Sequence, residues 1–158
     1  RFNYTKSRIF SFFDKETGTH NFQSDKAIES ITSGGFFGKG IGEGTLKNRV
    51  PEAHTDYIIS VISEEFGVIA IILILILFLV LIYMVFKKIS FETEEQNKLI
   101  LIGSVSLILM QATIHIGVNI RLFPTTGMTL PFLSYGGSSI VSTSILTGII
   151  LNLTKRKI

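Results

Sequence analysis

Uncharged apolar runs dominate the second half of the chain. The first, residues 66–86, reads FGVIAIILILILFLVLIYMVF and contains no charged residue. A helix needs about 20 apolar residues to cross a hydrocarbon core of about 30 Å, and a helix of a small soluble domain would not be apolar on every face. The pattern therefore predicts a first membrane-spanning helix over 58–86, beginning just after Asp56.

The second uncharged run, residues 99–120, is less apolar and predicts a second span. Its polar residues are spaced so that they can share one face: Gln111, Thr113, His115 and Asn119. Polar side chains within a span face other protein or a wet cavity rather than lipid. We therefore expect this helix to be packed inside a larger bundle.

The third uncharged run, residues 134–154, opens with SYGGSS and predicts a third span. The pair Gly136-Gly137 indicates a broken or re-entrant start, which is tolerated only where protein or water satisfies the backbone. The connections then fall at 87–98 and 121–133. The fold class predicted is an all-α integral membrane protein with three transmembrane helices.

The polar segment 1–57 predicts a large loop outside the bilayer. Apolar residues are scattered among its nearly balanced charges, and a short helix is expected from Ser24 to Ile31. The glycine-rich stretch SGGFFGKGIGEGT follows, and its glycines would allow the backbone to approach another element closely. This segment is therefore expected to be structured rather than a mere linker.

Basic residues set the expected orientation. In the short segments, Lys87, Lys88 and Lys98 lie between the first two spans, residues 155–157 follow the third, and only Arg121 lies in 121–133. The positive-inside rule places 87–98 and the tail 155–158 in the cytoplasm. The segments 1–57 and 121–133 are then extracytoplasmic. The basic residues of 1–57 oppose this orientation, but long loops obey the rule weakly.

Composition narrows the chemistry. The 158 residues are 46% hydrophobic and 17% charged, with a net charge of +3 and no cysteine. Disulfides and cysteine metal sites are excluded, and the scattered histidines argue against a zinc site. The sequence lacks a dense run of basic residues, so it does not point to nucleic acid as a partner. Because the chain starts at Arg1 rather than methionine, we expect a piece of a longer protein.

The densest polar cluster, PEAHTD, directly precedes the first predicted span. Asp56, with His54 two residues earlier, could act as a general base whose pKa is raised by a partly apolar setting. Alternatively, Asp56 or Thr55 is simply the N-cap of the helix. The two roles can coexist, and the pattern alone does not decide between them.

Other polar residues have two interpretations each. Backbone amides of the glycine-rich stretch, with Lys39 and Lys47, could hold a diphosphate, although no Walker motif is present and a turn with solvated lysines fits equally well. Glu64 and Glu65 face a bundle interior or a wet cavity, or else lie at the interface if the helix starts late. His115 is expected to be a hydrogen-bonded packing residue rather than a ligand.

Two long motifs carry a resemblance to a known family. GGFFGKGIGEGTLKNRVPEAHTDYIISVISEEFG, residues 34–67, and NIRLFPTTGMTLPFLSYGGSS, residues 119–139, resemble the two signatures of the SEDS (FtsW/RodA-like) family, in the expected order and separated by two spans. We call them the first and second signature. Their detailed form is most like cell-division members of alphaproteobacterial type. Because such proteins have about ten spans, the resemblance implies a C-terminal fragment.

The resemblance implies a peptidoglycan glycosyltransferase that polymerises lipid II during septal wall synthesis. It implies a class B penicillin-binding protein transpeptidase and other divisome proteins as partners, in the bacterial cytoplasmic membrane. The fragment alone is expected to be inactive. A lipid II flippase and a non-catalytic divisome scaffold are the alternatives. The resemblance leaves open whether a divalent cation (Mg²⁺ or Mn²⁺) helps to hold the diphosphate, and implies no other cofactor.

The same resemblance assigns roles to individual residues. Asp56 matches the family's loop aspartate and becomes the expected catalytic base. The expected substrate-binding residues all lie within the two signatures: Glu52, His54, Thr55, Lys39, Lys47, Ser134, Gly136, Gly137 and Ser138. The two lysines are our own inference from charge. No residue is expected to ligate a metal.

Overall fold

The computed structural model describes residues 19–50 and 53–155. These residues form helices and no strand: α1 (Thr19–Gly34), α2 (Leu46–Arg49), α3 (Ile58–Phe91), α4 (Glu95–Asn119) and α5 (Gly137–Thr154). The helices α3, α4 and α5 are long and apolar enough to cross a membrane. The predicted all-α membrane fold with three spans is confirmed for this part of the chain.

The helix bounds differ from the predicted ones. α3 continues to Phe91 and α4 begins at Glu95, so the predicted connection 87–98 is reduced to residues 92–94. The length of an apolar run indicates how much of the chain lies within the membrane, whereas the helix itself can continue beyond that run. Lysine, glutamate and glutamine are good helix formers, and the pairs that Lys88 and Lys98 make with nearby glutamates support the helical extensions.

α5 begins three residues later than predicted. Gly136, in an extended conformation, is its N-cap, so residues 134–136 belong to the connection. Ser134 lies in a turn in which its amide donates to the Leu130 carbonyl at 3.1 Å. The Leu130 amide in turn donates to the Ser134 hydroxyl at 2.8 Å. This local pairing satisfies the Leu130 and Ser134 amides, as a non-helical start near a membrane requires.

In the described part of the chain, buried apolar residues form three clusters, two of them at opposite ends of the bundle and a third of Ile59, Ala112 and Leu130. The start of α3, the end of α4 and the start of α5 lie at one end, which we call the upper end. At the opposite, lower end, Val85 of α3 and Ile150 of α5 pack against α4. At the upper end, Ala27 of α1 and Leu46 of α2 pack against Tyr57 beside the first turns of α3.

The segment predicted as one large loop therefore contains two helices. The short helix expected at Ser24–Ile31 extends over Thr19–Gly34, and α2 follows the glycine-rich stretch. Residues 1–18 of that segment, and 156–158 of the tail, lie outside the described residues. No membrane side is assigned by the fold, so the orientation stays a prediction.

α3 is interrupted at Gly67, where φ is 79° and ψ is −178°. The Val68 amide donates to the Gly35 carbonyl at 3.0 Å instead of to its own helix, and the Glu64 carbonyl accepts from the Lys39 amide at 2.8 Å. The glycine-rich loop, residues 35–45, is thus bonded into the break. A Cβ on Gly38 would lie 2.2 Å from the Glu65 carbonyl oxygen, so this close approach requires glycine.

Candidate functional site

Three successive carbonyls before α3 are each held by a hydrogen bond from the second signature. The His54 carbonyl accepts from the Tyr135 amide at 3.2 Å. The Thr55 carbonyl accepts from the Ser134 hydroxyl at 2.8 Å. The Asp56 carbonyl accepts from the side-chain amide of Asn119 at 2.9 Å. The two signatures, far apart in sequence, therefore form one site at the upper end, which we call the carbonyl clamp.

Asn119 makes the greatest number of these contacts. Its Oδ1 accepts from the Ser60 amide at 3.2 Å and from the Ser60 hydroxyl at 2.7 Å. Its Nδ2 donates to the Asp56 carbonyl and, at 2.9 Å, to the His115 carbonyl. The side chain is fully buried. Both lone pairs and both N–H groups are used, so Asn119 fixes the first turn of α3 relative to α4.

Asp56 is buried, with 7% of its surface exposed. The N-cap position of α3 falls on Tyr57, one residue later. The interpretation of Asp56 or Thr55 as the helix N-cap is therefore wrong. Residues 54–56 lie in a turn before the helix, and Tyr57 is the first residue whose carbonyl accepts a helical bond, from the Val61 amide at 3.1 Å.

Packing on both sides of Asp56 restricts it further. Ala53 and Tyr57 are fully buried in the upper core. The Tyr57 hydroxyl lies 3.4 Å from the Ser24 hydroxyl of α1. The backbone that carries Asp56 is therefore held by its own bonded carbonyl and by buried residues on either side, and a fixed backbone is what a catalytic group requires.

Glu64 lies in the interior of the bundle, which was one of the two placements predicted for it, and not at the interface. Its carboxylate is 1% exposed and accepts from the Lys39 ammonium at 2.9 Å. It also accepts from the Thr45 hydroxyl at 3.1 Å and the Leu46 amide at 3.0 Å. Glu65 is only half-buried. Glu64 thus ties the glycine-rich loop and α2 to α3, and Lys39 is engaged in an ion pair rather than free in solvent.

An open cleft of about 440 Å³ lies beside the clamp, between α4, α5 and the connection at 127–129. Of the expected substrate-binding residues, Gly136 and Ser138 line it. Ser134 does not line it, because its hydroxyl is bonded within the clamp. Gly137 opens α5, and a Cβ there would meet no atom within 4 Å. Asp56 is not among the lining residues. The link between cleft and clamp is the chain itself, because Gly136 lines the cleft and the preceding Tyr135 amide bonds to the His54 carbonyl.

The remaining expected site residues are placed as follows. His54 is exposed and Thr55 is half-buried. Glu52 and the side chain of Lys47 lie outside the described residues. Within 19–50 and 53–155, no group of three His, Cys, Asp or Glu is arranged to hold a metal ion.

The polar face of α4 holds the connection to α5. Gln111 donates to the Thr129 carbonyl at 2.9 Å and to the Ser139 hydroxyl at 2.8 Å. Nδ1 of His115 lies 2.8 Å from the Met128 carbonyl oxygen. Together with Asn119 these residues recur every four positions, so they share one face. Thr113 is exposed on another face, which corrects its expected grouping with them.

Asn119, Gln111 and Glu64 were missing from the predicted site residues. Each is a polar residue in an otherwise apolar helix, and that pattern is itself a signal of function. The pattern could show that these side chains need partners. It could not show that the partners of Asn119 lie in the first signature.

The chain is similar to known proteins over nearly its whole length. The family model of FtsW, RodA and SpoVE, described as "Cell cycle protein", matches residues 2–158. A relative from Enterococcus hirae, named "Probable peptidoglycan glycosyltransferase FtsW", is 41% identical over 138 residues, which are 87% of this chain and 35% of the relative. A protein of the same name from Caulobacter vibrioides is 37% identical over 158 residues, covering 99% of this chain and 40% of the relative.

A solved structure is similar as well. It belongs to a peptidoglycan synthase complex described for its structural coordination of polymerization and crosslinking. The TM-score is 0.75 at 25% identity, covering 96% of this chain and 41% of that one. The chain therefore spans about two fifths of the length of the proteins it matches. These identities do not test the expected alphaproteobacterial type.

Proposed function

The chain belongs to the FtsW/RodA/SpoVE family of cell cycle proteins, and from this premise we propose that it is part of a peptidoglycan glycosyltransferase. The reaction is the polymerisation of lipid II into glycan strands during septal wall synthesis. Relatives named as glycosyltransferases of this kind support the proposal. Because the chain spans about two fifths of their length, the activity belongs to a longer protein that contains these residues.

The single observation that carries the proposal is the carbonyl clamp around Asp56. A buried carboxylate fixed on its backbone at the upper end can accept the proton of an acceptor sugar hydroxyl. The hydroxyl oxygen then bonds to the anomeric carbon of the donor, and the bond from that carbon to the diphosphate oxygen breaks. Undecaprenyl diphosphate leaves with the electron pair, and the proton remains on Asp56.

The charge of the leaving diphosphate needs cations or oriented N–H groups close to it. We propose Lys47 for this role, with Lys39 contributing only if it exchanges the Glu64 carboxylate for phosphate. Glu52, His54 and Thr55 would shape the acceptor side. Gly136 and Ser138 would contact substrate through the cleft, whereas the bonded Ser134 would position the Thr55 backbone and not touch the sugar.

We further propose that the protein works in the bacterial cytoplasmic membrane at the septum. Its partner would be a class B penicillin-binding protein, together with other divisome proteins. The similarity to a chain of a peptidoglycan synthase complex supports a partner that cross-links the polymer. The positive-inside pattern supports an extracytoplasmic position for the clamp.

The test is lipid II polymerisation by the purified full-length protein together with its class B partner. Glycan strands longer than the input disaccharide are the expected product, separated by length on a gel. The matched control is the partner alone with the same lipid II. If the full-length protein instead moves lipid II across sealed vesicles and yields no polymer, the flippase is correct. If neither product nor transport is found while the complex assembles, the scaffold is correct.

A further inference from the structure

The glycine-rich loop presents large apolar side chains to the outside of the bundle. Phe37 is 84% exposed, Ile41 is 80% exposed and Phe36 is 75% exposed. They lie within six consecutive residues, and Phe66 of α3 is itself 46% exposed beside the attached loop. Such a concentration of exposed aromatic and aliphatic surface on one short loop marks an interaction site.

The loop holds these side chains in a defined place. Its Gly38, Lys39 and Gly40 amides donate to the Gly34, Glu64 and Glu65 carbonyls at 2.8, 2.8 and 3.1 Å. A Cβ on Gly67 would lie 2.2 Å from the Phe36 carbonyl oxygen, so the loop backbone is in direct contact with α3. These successive N–H groups are satisfied by protein. That is the condition under which non-helical backbone is tolerated at membrane depth.

The loop lies at the level where the apolar run of α3 begins. It is bonded to residues 64–68, and the uncharged run covers 66–86. At about 1.5 Å per residue, that run spans about 31 Å, close to the thickness of a hydrocarbon core of about 30 Å. The run therefore fills the hydrocarbon, and its first residue marks the boundary. Phe36 contacts α3 at this boundary.

The loop carries two charges, of which Lys39 fits this depth, while Glu43 is exposed. Lys39, between the exposed apolar residues, is paired with the buried Glu64 carboxylate at 2.9 Å. Charges at membrane depth are found paired with one another.

We propose that the glycine-rich loop is immersed in the lipid boundary and that Phe36, Phe37 and Ile41 contact acyl chains. The loop is then a membrane anchor beside the spans, in addition to its part in the proposed function. The loop sets how deep the first signature lies in the membrane, because residues 35–45 are bonded to α3 and continue directly into α2. The occupant of this surface is bilayer lipid rather than a protein partner.

The test uses the full-length protein with native cysteines replaced, in nanodiscs of phosphatidylcholine and phosphatidylglycerol. A nitroxide is attached to Phe37→Cys, and its collision rates with oxygen and with the water-soluble reagent NiEDDA are measured by electron paramagnetic resonance. We expect frequent collisions with oxygen and few with NiEDDA. Asp25→Cys, on the exposed side of α1, is the aqueous reference and should show the reverse preference. Ile41→Cys provides a second site if the first variant does not fold.

Two results would overturn the proposal. Collision with NiEDDA at the rate of the aqueous reference would place the loop in water. Few collisions with either reagent would mean that another protein element covers it. The measurement needs no lipid II, so its outcome is independent of the glycosyltransferase assay.

Discussion

Replacing Asn119 by alanine removes the centre of the carbonyl clamp. The substitution deletes four hydrogen bonds, to the Ser60 amide and hydroxyl and to the Asp56 and His115 carbonyls. A hydrogen bond between membrane helices contributes about 0.6 kcal/mol on average, so the three that join α4 to the Asp56 and Ser60 positions amount to roughly 2 kcal/mol, the fourth lying within α4. The Ser60 amide, in the first turn of α3, has no helical acceptor, and leaving it unpaired adds about 1–3 kcal/mol.

The loss falls on the segment that carries the proposed base. If roughly 2 kcal/mol is lost from the local arrangement alone, the population with residues 54–56 in place decreases by as much as about 30-fold. We therefore expect Asn119→Ala in the full-length protein to slow lipid II polymerisation by roughly 10- to 30-fold. The melting temperature should decrease as well, because Asn119 also bonds α3 to α4.

The assay measures initial polymerisation rates of purified full-length protein with the proposed transpeptidase partner, with thermal unfolding followed on the same samples. The matched control is Asn152→Ala, an exposed asparagine near the lower end of α5, which should leave both quantities unchanged. If Asn119→Ala is expressed normally and its polymerisation rate is within twofold of that of the parental protein, the reasoning that the clamp positions Asp56 is refuted.

The remaining predictions also use matched pairs. Ser134→Ala removes the donor to the Thr55 carbonyl and the acceptor of the Leu130 amide. We expect it to lower the free energy of unfolding, measured by heat or denaturant, by about 1–3 kcal/mol. The exposed Ser142→Ala should lower it by less than about 0.5 kcal/mol. Gly38→Ala should lower the melting temperature more than Gly35→Ala, since both have positive φ but only Gly38 would place a Cβ against backbone. Equal losses within either pair would contradict the contacts described.

The spans could be predicted from the sequence because membrane crossing requires an uncharged run of fixed length. The ends of the helices could not, since Lys87 and Lys88 end the apolar run but favour continued helix. The resulting error was confined to the lower end. At the upper end, the start of α5 shifted because Ser134 bonds to the Leu130 amide within a turn, a contact that no periodicity indicates.

The site could be predicted only in part. The motifs identified Asp56, but its setting depends on contacts such as that between Asn119 and the Asp56 carbonyl, which are separated by 63 positions. The interpretation of Glu64 stayed open for the same reason, because its partner Lys39 lies 25 positions earlier. Pairings over such separations follow from tertiary packing, and a single sequence reports the need for a partner without naming it.

The most direct test of the account is the polymerisation rate of Asp56→Asn in the full-length protein with the proposed transpeptidase partner. The amide preserves size but cannot take up the proton of the acceptor hydroxyl. The account predicts loss of glycan product, with unchanged membrane insertion and partner binding, while Glu94→Gln in the exposed connection between α3 and α4 keeps the parental rate. Undiminished polymer from Asp56→Asn would contradict the account and leave Asp56 with a structural role only.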